Sequence, residues 1–144
     1  LSPHLKSIHL ESQKVLYEAN NAVKYVYFPM GSIVSLVVNL STGEVIEAAM
    51  VGKDGVVGAS AALDGRVSLN RAVVQLAGPA LMCSVDALKG AALQSHTLLS
   101  ILIRHEQTVC AQASQSAACM ATHNVTSRFC RWLLRARDLA DRDT

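Results

Sequence analysis

Residues 107–127 read QTVCAQASQSAACMATHNVTS, and none of these 21 positions is Asp, Glu, Lys or Arg. An ordinary surface helix carries charge along its outer side. Residues 96–123 also lack Gly and Pro, which predicts one helix of about 42 Å. That is about as long as a compact domain of this size, whose radius of gyration is roughly 14–15 Å. Two stripes run along it. One is Leu98, Leu102, His105, Val109, Gln112, Ser116, Cys119 and His123; the other is Leu99, Ile103, Glu106, Cys110, Ala113, Ala117 and Met120. Two usable seams predict packing on two sides. One partner is expected to be the chain's own β-domain, the other the same helix of a second copy in a two-fold pair. The expected dimer interface is Leu102, His105, Val109, Gln112, Ser116 and Cys119. Membrane insertion is disfavoured, because Gln107, Gln112 and Gln115 would lie in hydrocarbon.

Upstream, the pattern is of short strands: KVLYE (14–18), VKYVYF (23–28), SIVSLVVNL (32–40), EVIEAAMV (44–51), RAVVQL (71–76) and ALMCSV (80–85). Turn signals separate them, among them Asn20-Asn21, Gly52 to Gly55 and Asp64-Gly65. In the third run, Val34, Leu36, Val38 and Leu40 are expected on one face, with Ser35 and Asn39 on the other. The Ala-rich VVGASAAL (56–63) suits one short helix. Many short strands with regular turns predict an antiparallel sandwich or barrel. Asp86 is expected to cap a helix over 87–93, Ser95 the long helix, and Asn124 a last helix. On that last helix Arg128, Arg131, Arg135 and Arg142 share one side, and Phe129, Trp132, Leu133 and Ala136 another. The arginine side is read as a solvated face, with nucleic acid or an acidic partner as the alternative.

The chain has 144 residues, 51% hydrophobic and 17% charged, which suits one domain with a real core. Its net charge is +2, and residues 1–127 are neutral, with eight basic and eight acidic side chains. Cys83, Cys110, Cys119 and Cys130 form no C-x-x-C pair and are expected as buried thiols of a reducing compartment, the cytoplasm. The five histidines are His4, His9, His96, His105 and His123. None lies between residues 10 and 95, so no metal is expected inside a barrel. Glu44 and Glu47, three apart on a strand, face opposite ways, and His105 beside Glu106 on a helix does not converge. No catalytic residue is expected, and the chain is read as a non-enzyme.

The sequence resembles the Crp/Fnr family of bacterial transcription regulators over nearly its whole length. The likeness rests on K-x-L-Y-E (14–18), Y-V-Y-F-P-M-G-S (25–32), G-K-D-G-V-V-G (52–58), R-A-V-V-Q (71–75) and H-N-V-T-S-R (123–128). The resemblance implies an α+β fold: an antiparallel β-barrel or double-stranded jelly roll (1–95), a long dimerisation helix (96–123), and a connecting helix (124–144). A helix-turn-helix domain that reads DNA is expected to follow. The runner-up is a cyclic-nucleotide-type module serving a non-DNA output.

Relatives that bind cyclic AMP hold its phosphate near the short helix, on backbone N–H groups and an arginine. By the resemblance, the matching residues are Gly58, Ala59, Ser60, Asn70, Arg71 and Ala72, with Ser114 near the purine. Ala59 stands where the family has a ribose-binding glutamate, and Asn70 where it has the phosphate arginine. Arg71 is one place along, and a one-residue shift on a strand turns it to the other face. The expected site is therefore degenerate, and its implied effector is a cyclic nucleotide or another small anion.

Overall fold

A computed structural model describes residues 1–64 and 67–140; Gly65 and Arg142 from the reading above fall outside them. One antiparallel sheet has the order β1 (Lys6–Leu10), β7 (Gly78–Ser84), β3 (Tyr25–Pro29). The other has the order β2 (Val15–Tyr17), β6 (Arg71–Leu76), β4 (Ile33–Asn39), β5 (Val45–Val51). Leu10, Tyr27 and Ala80 of the first sheet share a core with Val34, Leu36, Val51, Ala72 and Val74 of the second. The result is a jelly-roll-like sandwich. Both sheets end in edge strands, so a closed barrel, one form of the expectation, is not what the strands make.

The register of β4 against β5 shifts between Leu36 and Val37, where β5 carries an extra residue, Ala48. Of the face expected inward, Val34 and Leu36 are buried, whereas Val38 and Leu40, toward the end of the strand, are exposed. Ile33 and Ser35, on the outer face of the sheet, are buried as well. Their cover is α4 (Val125–Ala140), whose Leu139 packs with Ile33 and Met50 beside Leu76, Trp132 and Ala136.

Three helices precede α4: α1 (Ala59–Ala62), α2 (Val85–Gln94) and α3 (His96–Thr122). The cap of α2 is Ser84 rather than Asp86, its hydroxyl accepting from the Ala87 N–H at 3.2 Å; Asp86 lies in the first turn. Ser95 and Asn124 cap as expected, accepting from Leu98 N–H at 3.2 Å and Ser127 N–H at 2.9 Å. Of the four free thiols, Cys83 and Cys119 are buried and Cys110 and Cys130 exposed, so the expectation of burial holds for two. No helix among the described residues is long and apolar enough to cross a membrane.

The long helix lies along β5, an edge strand whose outward backbone groups need partners. Met50 N–H donates to Gln112 Oε1 at 3.2 Å, and Ser116 Oγ donates to the Ala48 carbonyl at 3.1 Å. Farther along, Leu102 and Cys119 are buried, and Val109 packs against the inter-sheet core. His105 meets the backbone of Val56. All six residues expected between two copies — Leu102, His105, Val109, Gln112, Ser116 and Cys119 — thus face this chain's own sheets and helices. The physical reason is the edge strand: it needs short uncharged hydrogen-bonding side chains one turn apart, and this seam supplies them. The flank left exposed carries Ile103, Gln107, Cys110, Ser114, Ala117 and Ala121, spaced alternately four and three apart.

Candidate effector-binding site

Where β2, β4, α1 and the first half of α3 meet, they enclose a cavity of about 230 Å³. Its wall includes Tyr17, Leu36, Val56, Gly58, Ser60, residues 67–70, Glu106 and Val109. The bend that opens α1 is made by Gly58, at φ +88°, where a Cβ would stand 3.2 Å from the Tyr25 carbonyl. Only glycine takes that conformation without strain. The 67–70 loop is held from within: Ser68 Oγ donates to the Asn70 carbonyl at 2.7 Å, and Ser68 N–H donates to Asn21 O at 3.1 Å.

Of the residues carried over from the resemblance, Gly58, Ser60 and Asn70 line this cavity. Ala59 and Ala72 are buried in packing, at 1% and 0% exposure. Arg71 does not line it; its Nε lies 3.2 Å from Glu18 Oε2, at an angle that makes an ion pair but no hydrogen bond. On β6, Ala72 and Val74 are buried while Arg71 and Val73 are half-buried, as strand parity requires. Ser114 lies on the exposed flank of α3 and donates to the Cys110 carbonyl of its own helix at 3.0 Å.

Sequence reasoning missed Tyr17, Ser68, Glu106 and Val109. A signal was present for one of them: Glu106 is the lone carboxylate between residues 96 and 127. Desolvation pushes the Tyr17 hydroxyl up to about 12, outweighing the Ser68 hydrogen bond, and it keeps the phenol protonated as a donor. Desolvation also raises Glu106, against the opposing pull of His105. Among the described residues, no Lys or Arg lines the cavity. The described wall offers a phenol, hydroxyls, an amide and a carboxyl group raised by desolvation.

The cavity is tied to the long helix through His105. Its Nε2 lies 2.7 Å from the Val56 carbonyl oxygen and 3.2 Å from the Val56 amide nitrogen. A Cβ at Gly55 would stand 2.5 Å from His105 Cε1, so this close approach needs glycine.

Glu106 also has a stability consequence. A carboxyl raised above its ordinary 4.5 binds protons more tightly in the fold than in the open chain. Its favourable contribution is complete below pH 4.5 and is lost as pH rises through the folded value. Glu106→Gln is therefore expected to gain melting temperature over the parent as pH is raised from about 4.5 to about 7. Thermal melts across that range check it; a difference that is flat or shrinks with pH would contradict the burial of Glu106.

Neither a protein-family model nor a curated protein matches the sequence. Solved structures do match the fold. The c-di-GMP responsive global regulator CLP of Xanthomonas campestris is 13% identical, with a TM-score of 0.72, covering 91% of this chain and 66% of that one. FixK2 of Bradyrhizobium japonicum is 16% identical, with a TM-score of 0.78, covering 93% of this chain and 66% of that one. A cyclic nucleotide-binding domain from Methylobacillus flagellatus is 16% identical, with a TM-score of 0.60, covering 79% of this chain and 65% of that one. The chain thus spans about two thirds of the length of each. Its fold is that of cyclic-nucleotide-binding domains, as the Crp/Fnr resemblance implied, and these neighbours are regulatory or ligand-binding proteins rather than enzymes.

Proposed function

We propose that this chain is the effector-sensing and dimerisation domain of a cytoplasmic Crp/Fnr-type DNA-binding transcription regulator, with a degenerate cyclic-nucleotide phosphate site. DNA is bound by a C-terminal domain outside this sequence. The observation that carries this reading is α3, which closes the sheet edge with one flank and leaves the other uncharged and exposed from residue 107 onward. An exposed helix flank without charge is best covered by a twin at heptad-like spacing. An effector in the cavity touches Glu106 and Val109 on α3, and His105 links the same helix to the loop before α1. Occupancy would favour one arrangement of the paired helices and pass that bias to the DNA-binding domains; it works only through unequal affinity for the two arrangements.

Light scattering tests the pairing. The parent chain should run as a dimer, and Ala117→Glu, which puts like charges face to face across the two-fold axis, as a monomer with an unchanged melting temperature. Calorimetry of the same samples with cyclic AMP should show no saturable heat. A monomeric parent would overturn the dimerisation reading, and tight cyclic AMP binding the degenerate site.

A further inference from the structure

A second and larger cavity, about 500 Å³, lies at the elbow between the end of α3 and α4, over the start of β5. It is separate from the site above and does not rest on it. Its walls are apolar: Val45, Met120, Val125 and Phe129 are 55%, 46%, 69% and 58% exposed, and Trp132 and Cys119 lie deeper. Such a patch, rimmed by charge, marks a binding surface.

The charges are specific. Arg128 and Arg131 both line the cavity, and among the described residues neither forms an ion pair. Arg135, one turn on, is already neutralised by Asp54 at 2.9 Å. Arg131 Nη2 donates to Ser116 Oγ at 3.0 Å, and Arg128 Nη1 points at the Met120 sulfur; both are weak uses of a guanidinium fork. Glu47 is the lone carboxylate among the described wall residues; Arg131 attracts it, and its hydrogen bonds go to other groups. Its Oε2 accepts from Ser35 Oγ at 2.5 Å and from Trp132 Nε1 at 3.2 Å. Two guanidiniums against one carboxylate leave the cavity one positive charge in excess.

From this juxtaposition we infer a binding site for an amphipathic monoanion, a carboxylate on an apolar body. The carboxylate would sit on Arg128 and Arg131, and the body against Met120, Phe129 and Trp132. A ligand there touches β5, α3 and α4 together and so bears on the angle at which α4 leaves the long helix.

Octanoate is the probe, and Trp132, the chain's single tryptophan, is the reporter. Titration of the full chain with octanoate should change its emission saturably, with matching heat in a calorimeter. 1-Octanol, which lacks the charge, should bind at least about tenfold more weakly, as should octanoate to Arg128→Gln or Arg131→Gln. Glu47→Gln should bind octanoate more tightly than the parent, because it removes the opposing carboxylate. Absence of both signals overturns the site, and so does an equal response to octanol, which would mean apolar partitioning alone. A signal that follows protein dilution but ignores octanoate would assign the groove to a second copy and overturn it likewise. Should one arginine variant fail to fold, the octanol and Glu47→Gln arms still decide.

Discussion

A glutamate at Val109 is expected to cost the fold about 3 kcal/mol, whereas one at Ala117, on the other flank of the same helix, costs less than about 0.5 kcal/mol. Val109 packs against the inter-sheet core and lines the effector cavity, where desolvation already raises the nearby Glu106 carboxyl. A second carboxylate one turn away would meet the same desolvation and add like-charge repulsion. Ala117 is exposed and touches neither sheet nor cavity, so its effect should fall on assembly alone. Denaturant melts separate the two variants. Equal stability for both would mean that Val109 does not sit on the sheet and that the assignment of the two flanks is reversed.

Leu139→Ala should be nearly as costly, about 3 kcal/mol, but locally. Leu139 is 3% exposed and anchors α4 on Ile33 and Met50. Gly52 makes room for it, since a Cβ there would stand 2.9 Å from Leu139 Cβ. The remaining ties of α4 are weaker. The Arg135–Asp54 pair has side chains 32% and 46% exposed and contributes at most about 1 kcal/mol, and a single hydrogen bond joins Trp132 to Glu47. A helix of 16 residues is marginal by itself in water. Truncation of its anchor should therefore release α4 while the sandwich stays folded. Trp132 emission should shift toward that of a solvated indole well below the main transition. An unshifted emission would show that α4 is held by something other than Leu139.

Strands β2 to β7, the short helix at 59–62, the long helix and the caps of α3 and α4 were legible in the sequence, whereas β1 was not, since its polar KSIHL becomes a strand only by pairing with β7. Period-2 and turn signals, and the absence of Gly and Pro, are local properties of the chain. The bulge at Ala48 of β5 was not legible, because it depends on the register against β4 beside it. Nor was Ser84 over Asp86 as the cap of α2: both residues can accept, and the direction in which β7 delivers the chain decides between them. At the candidate site, Gly58, Ser60 and Asn70 were identified, and so was the parity that turns Arg71 away. Tyr17 and Glu106 come from elements far apart in sequence and meet only after the sheet packs on α3.

By itself, the sequence determined that α3 is free of charge on both flanks from residue 107 onward, since the solvation of a face is a property of composition. Which flank serves the chain's own sheet was decided only by tertiary structure. The unpaired backbone groups at Ala48 and Met50 exist only once β5 has become an edge, and Ser116 and Gln112 are the side chains in position to satisfy them.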